Sequence, residues 1–293
     1  MTPLRLFCLL LLCSPLGLLQ AGDAAALRAR HLALAEPLAN NPFQRPLYLE
    51  SQHSDSLLQG DIYAELKQPF SVAGPALQGI EQWCDLLILH LNVKGCQASG
   101  AAQQARLKLY VGRKFDQPLA DAYPFEFHYR VEVAEADYLR VLLAAPQGPL
   151  GTSDYRIVLE VLALDAQRSF LHLSYAYRYG VAANLAMQGY LATVGRDKVG
   201  FSIVGENASG EPQYLDGMRA VVERNTMRYY LAIDAYLGAL ALPVASRLDK
   251  RLNDWHSGVE RYPRQLHELE RGTYLRMKYQ EVERQQGQGA AQQ

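Results

Sequence analysis

What this chain does without narrows its role before any motif is read. It lacks an excess of positive charge: 29 Lys and Arg stand against 30 Asp and Glu, a formal charge of −1 over 293 residues. Nucleic-acid binders concentrate cations on one face to neutralise phosphates, and no Lys/Arg stripe with interleaved aromatics is present. The charge pattern therefore argues against a nucleic-acid partner. Catalytic signatures are missing too. There is no G-x-S-x-G elbow, no H-E-x-x-H and no P-loop, and the glycines between Gly195 and Gly205 are too scattered for a dinucleotide fingerprint. Nothing in these patterns calls for a cofactor or a metal. Cysteine is sparse, with 4 residues, and beyond the amino terminus no second apolar run reaches membrane-spanning length.

What is present begins with a targeting pattern. Arg5 is the only charged side chain before Asp23, and Leu6 to Leu12 form an apolar run of secretory length. Small residues follow at Ala21, Gly22 and Ala24. This is the layout of a cleaved signal peptide over residues 1–21, and it predicts a periplasmic or secreted protein. The run is too short for an ordinary spanning helix and Pro15 breaks it. Leu12 stands before Cys13 where a lipoprotein would carry a small residue, so a soluble exported protein is the better reading. Export removes Cys8 and Cys13 and leaves Cys84 and Cys96 as an even pair in an oxidising compartment. A disulfide across this short loop is expected, worth about 3 kcal/mol in the chain-entropy account. A zinc site would need further ligands that His90 alone does not supply.

Half the residues are apolar (49%), enough for a sizeable core. Tyrosine outnumbers phenylalanine, 18 to 8; its apolar body and hydroxyl suit half-buried sheet faces and ligand cavities alike. Residues 22–57 read as a short helix and an extended piece. A strand pattern follows over Asp61 to Leu66, then helical spacing through Val72, Leu77, Ile80, Trp83 and Leu87. From Tyr123 to Tyr179 the chain alternates strictly, as in Phe125, Phe127, Tyr129 and again in Tyr175, Tyr177, Tyr179. That is a meander of antiparallel strands with one face buried. Glu126, His128 and Arg130 alternate with the apolar row and belong on the wet convex face. Gly217 to Leu242 is the strongest helix, stopped by Pro243. Residues 243–284 read as helices on the outside, and 285–293 as a disordered Gln/Gly/Ala tail.

A strand, a helix pair, a run of antiparallel strands and a long terminal helix form an order that resembles the helix-grip fold. That is the α+β fold of START-type lipid-transfer domains and the polyketide cyclase/dehydrase superfamily. The residues carrying the likeness are Gly60-Asp61-Ile62-Tyr63-Ala64 before Pro69-Phe70, Leu77 through Trp83, and Gly151-Thr152-Ser153-Asp154-Tyr155-Arg156 at a strand start. Further segments, among them Arg224-Asn225-Thr226-Met227-Arg228-Tyr229-Tyr230, resemble a branch of exported bacterial proteins without a characterised activity. The likeness spans residues 58–242. The chain departs from it in an insertion at 181–216 and in the added carboxy-terminal helices.

What the resemblance implies is a cavity between sheet and long helix for a hydrophobic small molecule or lipid. Apolar burial would fall to Phe125, Phe127, Tyr129, Tyr175, Tyr177, Tyr179, Tyr229 and Tyr236; orientation would fall to Arg156, Arg228 or a tyrosine hydroxyl. A filled core would show the same pattern. Val181 to Val194 reads as a lid, as a segment in transient contact with a membrane, or as a buried core helix, with burial the expectation. Two alternatives stand beside the carrier: a cyclase/dehydrase-type enzyme, which needs an ionisable residue such as His90 or Arg156 facing inward, and a cell-envelope interaction module using residues 244 to 293.

Overall fold

The computed structural model describes residues 16–101, 104–193 and 195–290; the apolar run Leu6 to Leu12 lies outside the described residues. Two helices open the described chain, α1 (Leu16–Ala33) and α2 (Ala35–Ala39). A hairpin of β1 (Leu47–Ser54) and β2 (Leu57–Leu66) follows. The short helices α3 (Phe70–Gln78) and α4 (Ile80–Leu87) carry the chain to the opposite edge of the sheet. From there β3 (Val93–Ser99), β4 (Arg106–Val111), β5 (Tyr123–Ala134), β6 (Tyr138–Gln147), β7 (Thr152–Ala163) and β8 (Ser169–Tyr179) return step by step. The eight strands lie in the order β1-β2-β8-β7-β6-β5-β4-β3, every neighbour antiparallel. Helix α5 (Val181–Ala192) and a small hairpin, β9 (Ile203–Glu206) with β10 (Pro212–Tyr214), precede the long α6 (Gly217–Gly238). The described chain closes with α7 (Val244–Val259), α8 (Pro263–Leu266) and α9 (Arg271–Ala290). This is an α+β helix-grip architecture, a curved antiparallel sheet holding α6 in its concave face.

The alternation in β5 sorts its side chains as expected: Phe125, Phe127 and Tyr129 are buried and Glu126, His128 and Arg130 exposed. Concave side chains from β4 to β8 and the inner stripe of α6 form one core with Val222, Ile233 and Trp83. Helix and sheet approach closely at Gly60 on β2. A Cβ placed there would stand against the Thr226 hydroxyl, 3.3 Å from the Thr226 Cβ and 3.4 Å from the Val222 carbonyl oxygen. Gly60 pairs directly with Tyr175 on β8, so the missing side chain admits the helix beside a large one.

Two expectations need correction. Residues 243–284 are integral to the core and do not sit outside it: Trp255 is 1% and Tyr274 0% exposed. The Trp255 indole donates to the Arg228 carbonyl and the Tyr274 hydroxyl to that of Leu89. These helices and the segment around Glu268 cover α6 at Arg228, while Ser51 and residues 199–202 cover Glu223 and Arg224, so all three are buried on a helix with an apolar stripe elsewhere. Nor does disorder set in at Gln285, because α9 runs on to Ala290. Its side chains bind β3: Gln285 Oε1 accepts from the Cys96 N–H at 2.8 Å, and Lys278 donates to the Val93 and His90 carbonyls at 2.8 and 2.7 Å. Lys94 and Lys278, both fully buried, share Glu281 at 3.1 and 2.7 Å.

On the convex face a second core gathers Leu27, Leu34 and Leu38 of α1 and its flank with Tyr138, Leu162 and Phe170. Beside it His172 stands between Glu160 (2.6 Å) and Asp61 (3.0 Å), its ring stacked on Tyr63 at 4.4 Å. Burial opposes a charge on His172, yet the hydrogen bonds to the two carboxylates outweigh it and raise the imidazole above its ordinary value.

Candidate functional site

Between β7, β8, α6 and α5 lies a cavity of about 360 Å³. Its wall follows from strand periodicity. Tyr155 on β7 and Tyr175, Tyr177 and Tyr179 on β8 point to the concave side, and Tyr229 and Val221 on α6 face them. The Tyr155 and Tyr177 rings stack at 5.1 Å, and Tyr175 meets Tyr229 at 5.3 Å. Helix α5 crosses the mouth and turns Ala183, Met187 and Tyr190 inward. It is not a core helix. Val181 and Leu185 on its outer side are 79% and 62% exposed, because nothing lies above it to pair with an apolar surface on all sides. Another hollow, of about 450 Å³, lies between Phe43, Phe201, Tyr214 and Tyr262, but among the described residues no unpaired buried donor lines it.

At the inner end of the cavity sits His90, 3% exposed. The turn that holds it is fixed from several sides. The Cys84–Cys96 disulfide joins α4 to β3 around it, and α9 takes the carbonyls of Leu89, His90 and Val93. Asn92 donates its side-chain amide to Gly112 at 2.6 Å. The His90 ring stacks on Tyr229 at 4.9 Å, and its Nδ1 accepts from the Asn92 backbone N–H at 3.1 Å. Its Nε2 is buried with no partner among the described residues. Desolvation, then the charges of Arg228, Lys278, Lys114 and Lys94, hold the imidazole well below its ordinary value, so it is neutral at physiological pH.

The tyrosine hydroxyls divide. Tyr155 donates to Thr152 Oγ1 at 3.0 Å, and the Tyr179 hydroxyl meets His53 Nε2 at 2.7 Å. Those of Tyr175, Tyr177 and Tyr229 have no partner among the described residues and keep their protons, since burial pushes all three above the ordinary phenol value. The cavity thus offers an apolar aromatic body with several donors and no carboxylate.

Of the residues expected from sequence, Tyr175, Tyr177, Tyr179 and Tyr229 line this cavity. Phe125 and Phe127 stand behind Tyr155, at 4.7 and 6.2 Å, and support the wall. Tyr129 lies further along β5 and donates its hydroxyl to the Gln78 carbonyl at 2.5 Å. Tyr236 is two helical turns away under the Arg251 guanidinium, at 4.3 Å. Arg156 is exposed: with Tyr155 and Ile157 facing in, the residue between them faces out. Arg228 points away from the cavity to Glu268 at 2.9 Å. The sequence pattern left Tyr155 out of the expected site, although it alternates like the tyrosines of β8, and offered His90 only to the enzyme alternative.

No family model matches this chain, and no curated protein matches it. Solved structures do resemble it at a distance. A START superfamily protein from Mycobacterium smegmatis is 10% identical over 47% of this chain and 95% of that one, with a TM-score of 0.33. Norcoclaurine synthase from Thalictrum flavum is 13% identical over 50% and 83%, TM-score 0.32. CalU16 from Micromonospora echinospora is 8% identical over 72% and 95%, TM-score 0.32. At these scores the likeness carries no argument about activity. The helix-grip arrangement of this chain rests on its own strand order and on α6 lying in the concave face.

Proposed function

We propose that this chain is an exported binding or carrier protein for a small, largely apolar molecule held between the sheet and α6 beneath α5. The observation that carries the reading is the cavity of about 360 Å³ walled by tyrosines, of which Tyr175, Tyr177 and Tyr229 have hydroxyls with no partner among the described residues. Its size falls at the small end of ligand pockets, about 300–1,000 Å³, and favours a ring system or a single acyl chain over a two-chain lipid. The sequence layout before Asp23 and the Cys84–Cys96 disulfide support a periplasmic or secreted location. The apolar outer side of α5 supports a transient membrane contact during loading.

Protein purified from its native compartment, extracted and examined by mass spectrometry, is expected to release an enriched apolar compound that raises the melting temperature when added back. A clean extract, together with no stabilisation by any lipid or aromatic ligand, removes the proposal. A second reading has one observation in its favour. His90 is an ionisable residue facing the cavity, as a cyclase/dehydrase-type enzyme requires, and turnover that is lost in His90→Gln would support it.

A further inference from the structure

The proton on His90 can be placed. A backbone N–H only donates, so the contact from Asn92 N–H requires a lone pair on Nδ1 and puts the imidazole proton on Nε2. That N–H is buried on a residue that lines the cavity, and it has no partner among the described residues. The ring cannot swing it elsewhere. Tyr229 stacks on one face, and the disulfide-bound turn fixes the backbone. Such a donor bears its full desolvation cost until an acceptor arrives. A second donor stands near. Asn225 lines the cavity with its Oδ1 taking a guanidinium N–H of Arg228 at 3.4 Å, which leaves its Nδ2 without a partner among the described residues.

The surroundings decide what kind of acceptor fits. Lys114 and Arg228 share Glu268, and Lys94 and Lys278 share Glu281. Four cations therefore meet two carboxylates behind this end of the cavity, and no acidic side chain lines it. These four cations are the ones that disfavour an imidazolium at His90. A field that repels a positive charge at a point favours a negative charge at the same point.

We infer that the ligand is an apolar organic anion, a carboxylate or sulfonate on a ring-bearing body, whose charged oxygen accepts from His90 Nε2 and Asn225 Nδ2 while its body lies against Tyr155, Tyr175, Tyr177 and Tyr229. The inference rests on the cavity being a binding site. It also gives His90 the part of a fixed donor. As a general base it would need a free lone pair, and the Asn92 N–H occupies the one on Nδ1.

Two fluorescent probes that share an anilinonaphthalene body test this on the mature, disulfide-intact chain. 1-Anilinonaphthalene-8-sulfonate carries the anion; N-phenyl-1-naphthylamine does not. The sulfonate is expected to bind saturably and at least tenfold tighter. His90→Phe keeps the stack on Tyr229, removes the donor, and should weaken the sulfonate about tenfold or more with the neutral probe unchanged. His90→Gln, which retains an N–H donor, should keep most of the preference. Val221→Trp fills the cavity and should abolish both. Failure of both probes to bind, or indifference of both to Val221→Trp, overturns the binding site itself. Binding of both that Val221→Trp abolishes, with the neutral probe equal or tighter, or with His90→Phe shifting both alike, overturns the anion alone.

Discussion

Gly60→Ala tests whether a missing side chain sets the distance between sheet and helix. The added Cβ would run into the Thr226 hydroxyl, with the Thr226 Cβ at 3.3 Å and the Val222 carbonyl oxygen at 3.4 Å behind it. The hydroxyl cannot simply turn aside, because it donates to that carbonyl at 2.8 Å and its rotation would bring the methyl into the same place. Strand propensity works in the opposite direction, since replacing glycine by alanine removes about 0.5–1 kcal/mol of backbone entropy cost. Overpacking of a close contact costs about 1–3 kcal/mol and outweighs it. The expected net loss is about 1–2 kcal/mol, read as a lower midpoint in urea with an unchanged slope. Thr226→Ala opens the space, so the double variant should recover about 1 kcal/mol relative to the sum of the single changes. A neutral Gly60→Ala, or strict additivity with Thr226→Ala, would refute the claim that this contact positions α6. Tyr175 lies directly across from Gly60, so probe affinity should fall with stability in the single variant and return in the double.

Three further outcomes follow from the same geometry. Replacing Cys84 and Cys96 by serine should cost about 3 kcal/mol in urea unfolding and lower probe affinity by loosening the His90 turn, whereas unchanged affinity would show that α9 alone holds it. Glu281→Gln leaves Lys94 and Lys278 buried without their carboxylate and should destabilise by about 3–5 kcal/mol; a loss under 1 kcal/mol would contradict the burial of that triad. His172 has a folded-state value raised above its ordinary 6.5, so the folded state binds the extra proton. Its contribution is therefore complete below pH 6.5 and lost as pH rises through the folded value, and His172→Gln should flatten that part of the stability profile.

Much of the architecture could be read from alternation alone. Phe125, Phe127 and Tyr129 face in and Glu126, His128 and Arg130 face out, as period-two spacing requires. The same rule, applied to Tyr155 and Ile157, already places Arg156 outside; its charge, not its position, made it a candidate. Other features depended on tertiary contacts that no local pattern carries. The Gln/Gly-rich end of α9 has little intrinsic reason to stay helical, and it is anchored through Lys278, Glu281 and Gln285 to β3. Arg228 reads as a ligand-binding cation on a helix face, but α7 and the segment around Glu268 bury that face. The part His90 plays depends on the Asn92 N–H and the four cations around it, which are not recognisable from spacing.

The position of α9 has a consequence for how copies of this chain behave toward one another. Among the described residues strand β3 has a strand neighbour only in β4, and its other side would be an open template for a strand from a second molecule. Helix α9 occupies that side with side chains that imitate a neighbouring strand: Gln285 accepts the Cys96 N–H, and Lys278 donates to the Val93 carbonyl. A chain ending before Arg271 would lose this guard, and self-association through Val93–Ser99 is the behaviour to expect of it.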